Sequence, residues 1–138
     1  MTETSADERT DIAEAEQDEF VLLVRDALAH LYDYAHLQRH PLLQRLAIPA
    51  DRSGAGAKAL RNHLLDTIEQ LNPGGAVSPN DKEWRPYGIL VRRYVDGFSI
   101  DEIVEELHIS VRQFQREHRK ALLAVASILR RQSREDQA

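Results

Sequence analysis

Two helix starts built on the same plan, close together near the C-terminal end, constrain the fold more than any other feature of this chain. Ser99 is followed three residues later by Glu102, and Ser110 is followed three residues later by Gln113. Each pair matches a capping box, in which the serine hydroxyl accepts a first-turn N–H and the longer side chain returns to the cap. Only about two helical turns fit between the caps. The spacing therefore predicts a short helix, a tight turn and a longer helix.

The apolar residues of this stretch recur at helical spacing and agree with the two caps. They are Ile103, Val104, Leu107, Ile109, Phe114, Ala121, Leu122, Val125 and Leu129. This pattern predicts two amphipathic helices, over 100–107 and 111–131. A preceding helix over 82–96, ended by Gly97 in a left-handed conformation, would complete a trihelical unit.

The outward side of the second helix is polar and basic. Arg112, Arg116 and Arg119 are spaced i, i+4, i+7, so they share one face. Arginine and glutamine near the start of a helix are the residue types that read base edges, and basic residues further along contact phosphates. The candidate DNA-binding residues are Ser99, Ser110, Arg112, Gln113, Gln115, Arg116, Arg119 and Lys120.

The segment SIDEIVEELHISVRQFQREHRKAL resembles the helix-turn-helix of bacterial sigma-factor region 4 and of the related response-regulator output domains. Those families have a Ser or Thr cap, an acidic first helix of the type EEIxxEL, an Ile/Val-Ser start to the second helix, and an Arg-rich continuation. The likeness covers 97–122. Val104 and His108 depart from the pattern, at positions where a small residue and a Gly or Asn are usual. The resemblance implies a DNA-binding protein whose second helix enters the major groove.

Charge is distributed unevenly along the chain, although the net charge is −5. Residues 1–19 hold eight acidic groups and one arginine, whereas residues 108–134 hold six arginines and one lysine against Glu117. Such asymmetry is typical of proteins that contact nucleic acids. A basic surface that is merely solvated is the alternative.

The overall pattern predicts an all-α chain, with N-terminal helices packed on the C-terminal helix-turn-helix unit. Gly and Pro cluster in two places, and β-branched residues do not alternate over the length of a strand. We expect a disordered acidic tail, an N-terminal helical region, a helix-turn-helix domain and a flexible tail. Their respective bounds are 1–17, 18–80, 81–131 and 132–138.

Within the N-terminal region, a broad apolar stripe predicts a helix from Asp18 to about Leu37. Pro41 disfavours helical backbone at His40, so a break is expected there, and the proline can open a new short helix. A further helix is expected over 57–71. The last helix carries more apolar surface than one trihelical core needs. We expect the N-terminal helices to cover it, with homodimerisation as the alternative.

Sites for other chemistry find little support in the sequence. His36 and His40 have the i, i+4 spacing of a two-histidine metal site, but the sequence offers no third ligand, so no metal or other cofactor is predicted. There is no cysteine, and Ser99 and Ser110 act as caps, so nothing indicates an enzyme. No apolar run approaches the length of a membrane span, which predicts a cytoplasmic protein with no membrane partner.

The function predicted from these observations is a small DNA-binding transcriptional regulator with double-stranded DNA as its partner. The alternative is a protein–protein interaction module of the transcription machinery, which would use the same trihelical fold to bind RNA polymerase or another transcription protein. The acidic first helix, with Asp101, Glu102, Glu105 and Glu106, favours the alternative.

Overall fold

The computed structural model describes residues 18–49, 54–75 and 81–137, with side chains to residue 133. All regular secondary structure in these ranges is helical, as the sequence predicts. The predicted acidic tail at 1–17 lies outside the described residues.

Four helices are described in the N-terminal region: α1 (18–29), α2 (Tyr34–Gln38), α3 (Pro41–Arg45) and α4 (Ala55–Glu69). The prediction of one continuous helix from residue 18 to about Leu37 is wrong, because α1 stops at residue 29 and α2 starts separately. Asp33 explains the second start, since its Oδ1 accepts the N–H of His36 at 3.1 Å and caps α2. An N-cap of this kind needs non-helical backbone just before the helix, which the continuous helix would not allow.

The start of α3 follows the prediction. His40 has the extended backbone expected of a residue before proline, with φ −72° and ψ 137°, and Pro41 takes the first helical position. The imidazole of His40 serves as the cap, because its Nδ1 accepts the N–H of Leu42 at 3.1 Å.

The C-terminal region contains α5 (Arg85–Leu90), which continues into a π-helical turn (Val91–Val95), then α6 (Ile100–Leu107) and α7 (Val111–Gln137). The bounds of α6 are those predicted. The helix predicted over 82–96 instead begins at Arg85, next to a proline that is tolerated only in a first turn. Gly97 has φ 76°, which confirms the predicted left-handed residue after that helix.

The last helix, α7, has 27 residues and passes the predicted end at residue 131. The predicted flexible tail at 132–138 is therefore helical as far as Gln137. Neither Gly nor Pro follows Leu129, so nothing in the sequence ends the helix there. The helix also has a neighbour beyond residue 131, since the hydroxyl of Ser133 lies 3.4 Å from the carbonyl oxygen of Arg45.

The described residues have two separate hydrophobic cores. The larger core contains residues of all five helices from α1 to α5 and the part of α7 from Ala121 to Leu129. The residues of α7 in it are Ala121, Leu122, Val125, Ala126 and Leu129. The smaller core joins α5, α6 and the start of α7 through Ile89, Ile103 and Phe114. The N-terminal helices thus cover the extra apolar surface of α7, as expected. The first turns of α7 are buried on the side of Phe114 and exposed to solvent on the opposite side.

Candidate nucleic-acid interface

Both helix starts of the C-terminal region are capped by their serines, and the reciprocal capping box is present at Ser99. The hydroxyl of Ser99 accepts the N–H of Glu102 at 3.1 Å, and the Glu102 carboxylate accepts the N–H of Ser99 at 3.2 Å. The hydroxyl of Ser110 accepts the N–H of Gln113 at 3.0 Å. Between the helices, His108 adopts left-handed backbone, with φ 56° and ψ 45°. These local contacts fix where α6 ends and where α7 begins.

The smaller core holds α6 against the first turns of α7. Ile89 and Ile103 are fully buried and Phe114 is 2% exposed, so one residue from each of three helices meets at this point. Val104, Leu107 and other half-buried side chains pack around them. Because Phe114 points into this core, the residues on the other side of α7 face solvent.

Seven of the eight predicted DNA-binding residues are exposed. They are Ser99, Ser110, Arg112, Gln115, Arg116, Arg119 and Lys120. Gln113 is half-buried, so it lies at the edge of the exposed face. At 100° per residue, Arg112, Arg116 and Arg119 fall within about 60° of the helix circumference. We refer to these three arginines as the arginine row.

The arginine row is only weakly neutralised by the described part of the chain. Arg119 lies 3.6 Å from the carboxylate of Asp18, but both side chains are more than 60% exposed, so this pair contributes little. Among the described residues, no carboxylate forms an ion pair with Arg112, Arg116 or Lys120. Within the part of the chain that the structure describes, the exposed side of α7 therefore presents positive charge that is largely uncompensated.

Two nearby carboxylates are instead paired with arginines of α5 and its π-helical turn. Arg92 donates to Glu106 at 2.6 Å, and this hydrogen bond lowers the pKa of the Glu106 carboxyl below its usual value. The Arg92 guanidinium also lies over the Trp84 ring, 4.7 Å from its centroid. Arg85 lies 3.9 Å from Glu117. Because these arginines compensate Glu106 and Glu117, neither carboxylate repels an approaching phosphate at full strength.

His118 lies on α7 beside the arginine row and is half-buried. Nε2 of His118 lies 2.6 Å from the Tyr94 hydroxyl, and the imidazole stacks on Phe114 with ring centroids 5.3 Å apart. Burial, and next to it the positive charges of Arg25 and Arg93, lower the pKa of His118 to about 4.

The lowered pKa of His118 predicts a specific dependence of stability on pH. Below about pH 6.5 the unfolded chain takes up a proton on this imidazole, whereas the folded chain does so only near pH 4. The free energy of unfolding should therefore fall as the pH falls through this window, by about 1–2 kcal/mol from His118 once its partial exposure is allowed for. Urea unfolding at pH 7, 6 and 5 measures this.

The matched variants for this measurement are His118→Phe, which keeps a stacking ring, and His108→Asn, which changes an exposed histidine and keeps a residue type that tolerates left-handed backbone. The decrease in stability between pH 7 and pH 5 should be smaller in His118→Phe than in the natural chain and unchanged in His108→Asn. An equal decrease in all three proteins would contradict the assignment.

A basic cleft of about 400 Å³ adjoins the arginine row. It lies between α1, the π-helical turn and α7, and Arg25, Arg93 and Arg119 contribute to its lining together with Gln115 and His118. Sequence reasoning missed Arg25 and Arg93, because each is one polar residue on a helix and no motif relates it to α7. The positive surface is therefore broader than the face of α7 alone.

Comparison with known proteins gives no relative for this chain. No family model matches it. Neither a curated protein nor a solved structure gives a significant match. Among the described residues, no helix is both long enough and apolar enough to cross a membrane.

Proposed function

We propose that this chain is a small DNA-binding regulator of transcription, in which α6 and α7 act as a helix-turn-helix and the N-terminal half of α7 lies in the major groove. The observation that carries the proposal is the arginine row, exposed and weakly neutralised on the first turns of a helix whose opposite side is held in a core. A helix presented in this way matches what major-groove reading requires.

Individual roles follow from position along α7. Arg112 and Arg116, on the first two turns, would read base edges, with Gln113 at the rim of the same surface. Arg119 and Lys120, about one turn further, would bind phosphates. Ser99 would add a phosphate contact through its hydroxyl and the N-terminal dipole of α6, and Ser110 and Gln115 complete the surface that faces the duplex.

The acidic residues of α6 favour a second function. Asp101, Glu102 and Glu105 are exposed, and a duplex lying against them would be repelled. In the alternative, this acidic surface binds RNA polymerase or another transcription protein, and the trihelical unit is an interaction module. Homodimerisation would be compatible with either function, because two half-sites commonly require two copies of a helix-turn-helix.

Titration of a fluorescent random-sequence duplex with the full chain tests the proposal and separates the two functions. We expect binding at 50 mM salt that weakens on the order of 50-fold by 200 mM, because three or four neutralised phosphates release that many counterions. Enrichment of duplexes from a random pool would then give the preferred sequence. If no duplex is retained at low salt, the regulator proposal fails and the interaction module remains.

A further inference from the structure

Three side chains from separate elements of the N-terminal region converge on one point. Nε2 of His36, in α2, lies 2.7 Å from Oδ2 of Asp26, in α1. Nε2 of His40, the residue that caps α3, lies 3.0 Å from the same oxygen. All three potential ligand atoms lie within 4.8 Å of one another. Asp26 is the third ligand that the sequence could not supply, because it belongs to a different helix.

The cluster is open to solvent on one side and buried on the other. The His40 side chain is 1% exposed, whereas those of His36 and Asp26 are 38% and 45% exposed. All three line a surface depression of about 500 Å³, so an ion could reach them directly. His30 stacks on the His36 ring with centroids 3.8 Å apart and thereby orients it.

We propose that Asp26, His36 and His40 form a binding site for Zn²⁺ or a related divalent transition-metal ion. Two imidazole nitrogens and one carboxylate oxygen are a ligand set that Zn²⁺ accepts, with solvent in the fourth position. Zinc bonds of about 2.0–2.1 Å in tetrahedral geometry require ligand atoms about 3.3 Å apart. Shifts of about 0.3–0.6 Å by the half-exposed Asp26 and His36 side chains would lengthen the two hydrogen-bonded separations, 3.0 Å and 2.7 Å, to that spacing.

The protonation states at neutral pH suit a metal ion. Burial lowers the pKa of His40 and so keeps its imidazole neutral. The hydrogen bond from His36 is the main cause that holds the pKa of Asp26 below its usual value, so its carboxylate is ionised. Metal binding therefore needs little proton release from these two ligands.

One existing hydrogen bond limits the expected affinity. Nδ1 of His40 accepts the N–H of Leu42, so the neutral imidazole carries its proton on Nε2. Coordination at Nε2 shifts that proton to Nδ1 and breaks the cap of α3, which weakens binding about fivefold relative to an unhindered site. With three protein ligands and one side open to solvent, we expect a dissociation constant in the micromolar range. A bound ion would join α1, α2 and α3, the elements that cover part of α7.

Titration of the untagged, chelator-treated full chain with Zn²⁺ and Co²⁺ tests the site. We expect saturable calorimetric binding of one Zn²⁺ per chain, visible Co²⁺ absorption of the tetrahedral type, and a higher melting temperature with Zn²⁺. Asp26→Asn and His36→Ala each remove a half-exposed ligand and should weaken binding at least tenfold. The control His108→Asn removes an exposed histidine outside the cluster and should bind as the natural chain does.

Circular dichroism shows which variants are folded before their Zn²⁺ affinities are compared. One folded ligand variant, either Asp26→Asn or His36→Ala, is enough for the test. No saturable binding by the natural chain below about 1 mM Zn²⁺ would overturn the proposal. It would also be overturned if a folded Asp26→Asn or His36→Ala variant kept the affinity of the natural chain. Neither result bears on DNA binding, because these side chains are not among the candidate DNA contacts.

Discussion

Replacing Phe114 by alanine is expected to lower the free energy of unfolding by about 3–5 kcal/mol. Phe114 is 2% exposed and meets Ile89 and Ile103 in the smaller core, where its ring also stacks on His118. Its loss would leave a cavity among neighbours that come from three different elements and cannot all move in together. Urea unfolding at pH 7 measures the change.

Because the two hydrophobic cores are separate, the Phe114→Ala variant should be weakened unevenly. Amide hydrogen exchange should show lost protection in α6, while α4, which packs in the larger core, keeps its protection. The control is Val111→Ala, one turn earlier on α7, where the side chain is 46% exposed and the expected change is below about 0.5 kcal/mol. A loss below about 1 kcal/mol for Phe114→Ala would contradict this description of the core.

The parts of the fold that depend on local chemistry could be predicted from the sequence. The bounds of α6 and the start of α7 follow from the caps at Ser99 and Ser110, which need only neighbouring residues. Left-handed backbone at Gly97 follows from the absence of a Cβ, and extended backbone at His40 follows from the next residue being proline.

Other boundaries depend on contacts that periodicity does not reveal. The apolar stripe continues across residues 30–33, so the sequence suggested one long helix where Asp33 in fact caps a new one. No sequence pattern predicts the π-helical turn Val91–Val95. Tyr94 lies in this turn, and its hydroxyl forms a hydrogen bond with His118 of α7. The extension of α7 to Gln137 could have been suspected from the missing stop signal alone.

In the candidate interface, too, features set by local sequence could be predicted, whereas features set by contacts between helices could not. Exposure of the arginine row follows from the 3.6-residue period, since the buried positions of α7 fix which side faces outward. Packing between separate helices brings Arg25 and Arg93 close to that row. It also brings Asp26 close to His36. Such placement is set by side-chain packing over the whole core, so spacing along the chain carries no signal for it.

Removing both base-reading candidates, in the double substitution Arg112→Ala/Arg116→Ala, is expected to cost about 2–6 kcal/mol in binding to the preferred duplex. Each guanidinium can make a bidentate contact to guanine worth about 1–3 kcal/mol, and both are exposed and without an ion pair in the described residues. The fold should therefore be unaffected. Fluorescence anisotropy on the preferred and on a random duplex, at one salt concentration, measures the loss.

Comparing the loss of affinity for the preferred duplex with that for the random duplex shows whether Arg112 and Arg116 read bases. Lys120→Ala should weaken binding to both duplexes alike and reduce the salt dependence, because a phosphate contact carries no sequence information. Arg131→Ala, an exposed arginine several turns further along α7, is the control of matched charge and should change affinity least. If the double substitution weakened both duplexes equally, Arg112 and Arg116 would be phosphate contacts. If it weakened neither, α7 would not lie against DNA, and the acidic surface of α6 would be the interface to pursue.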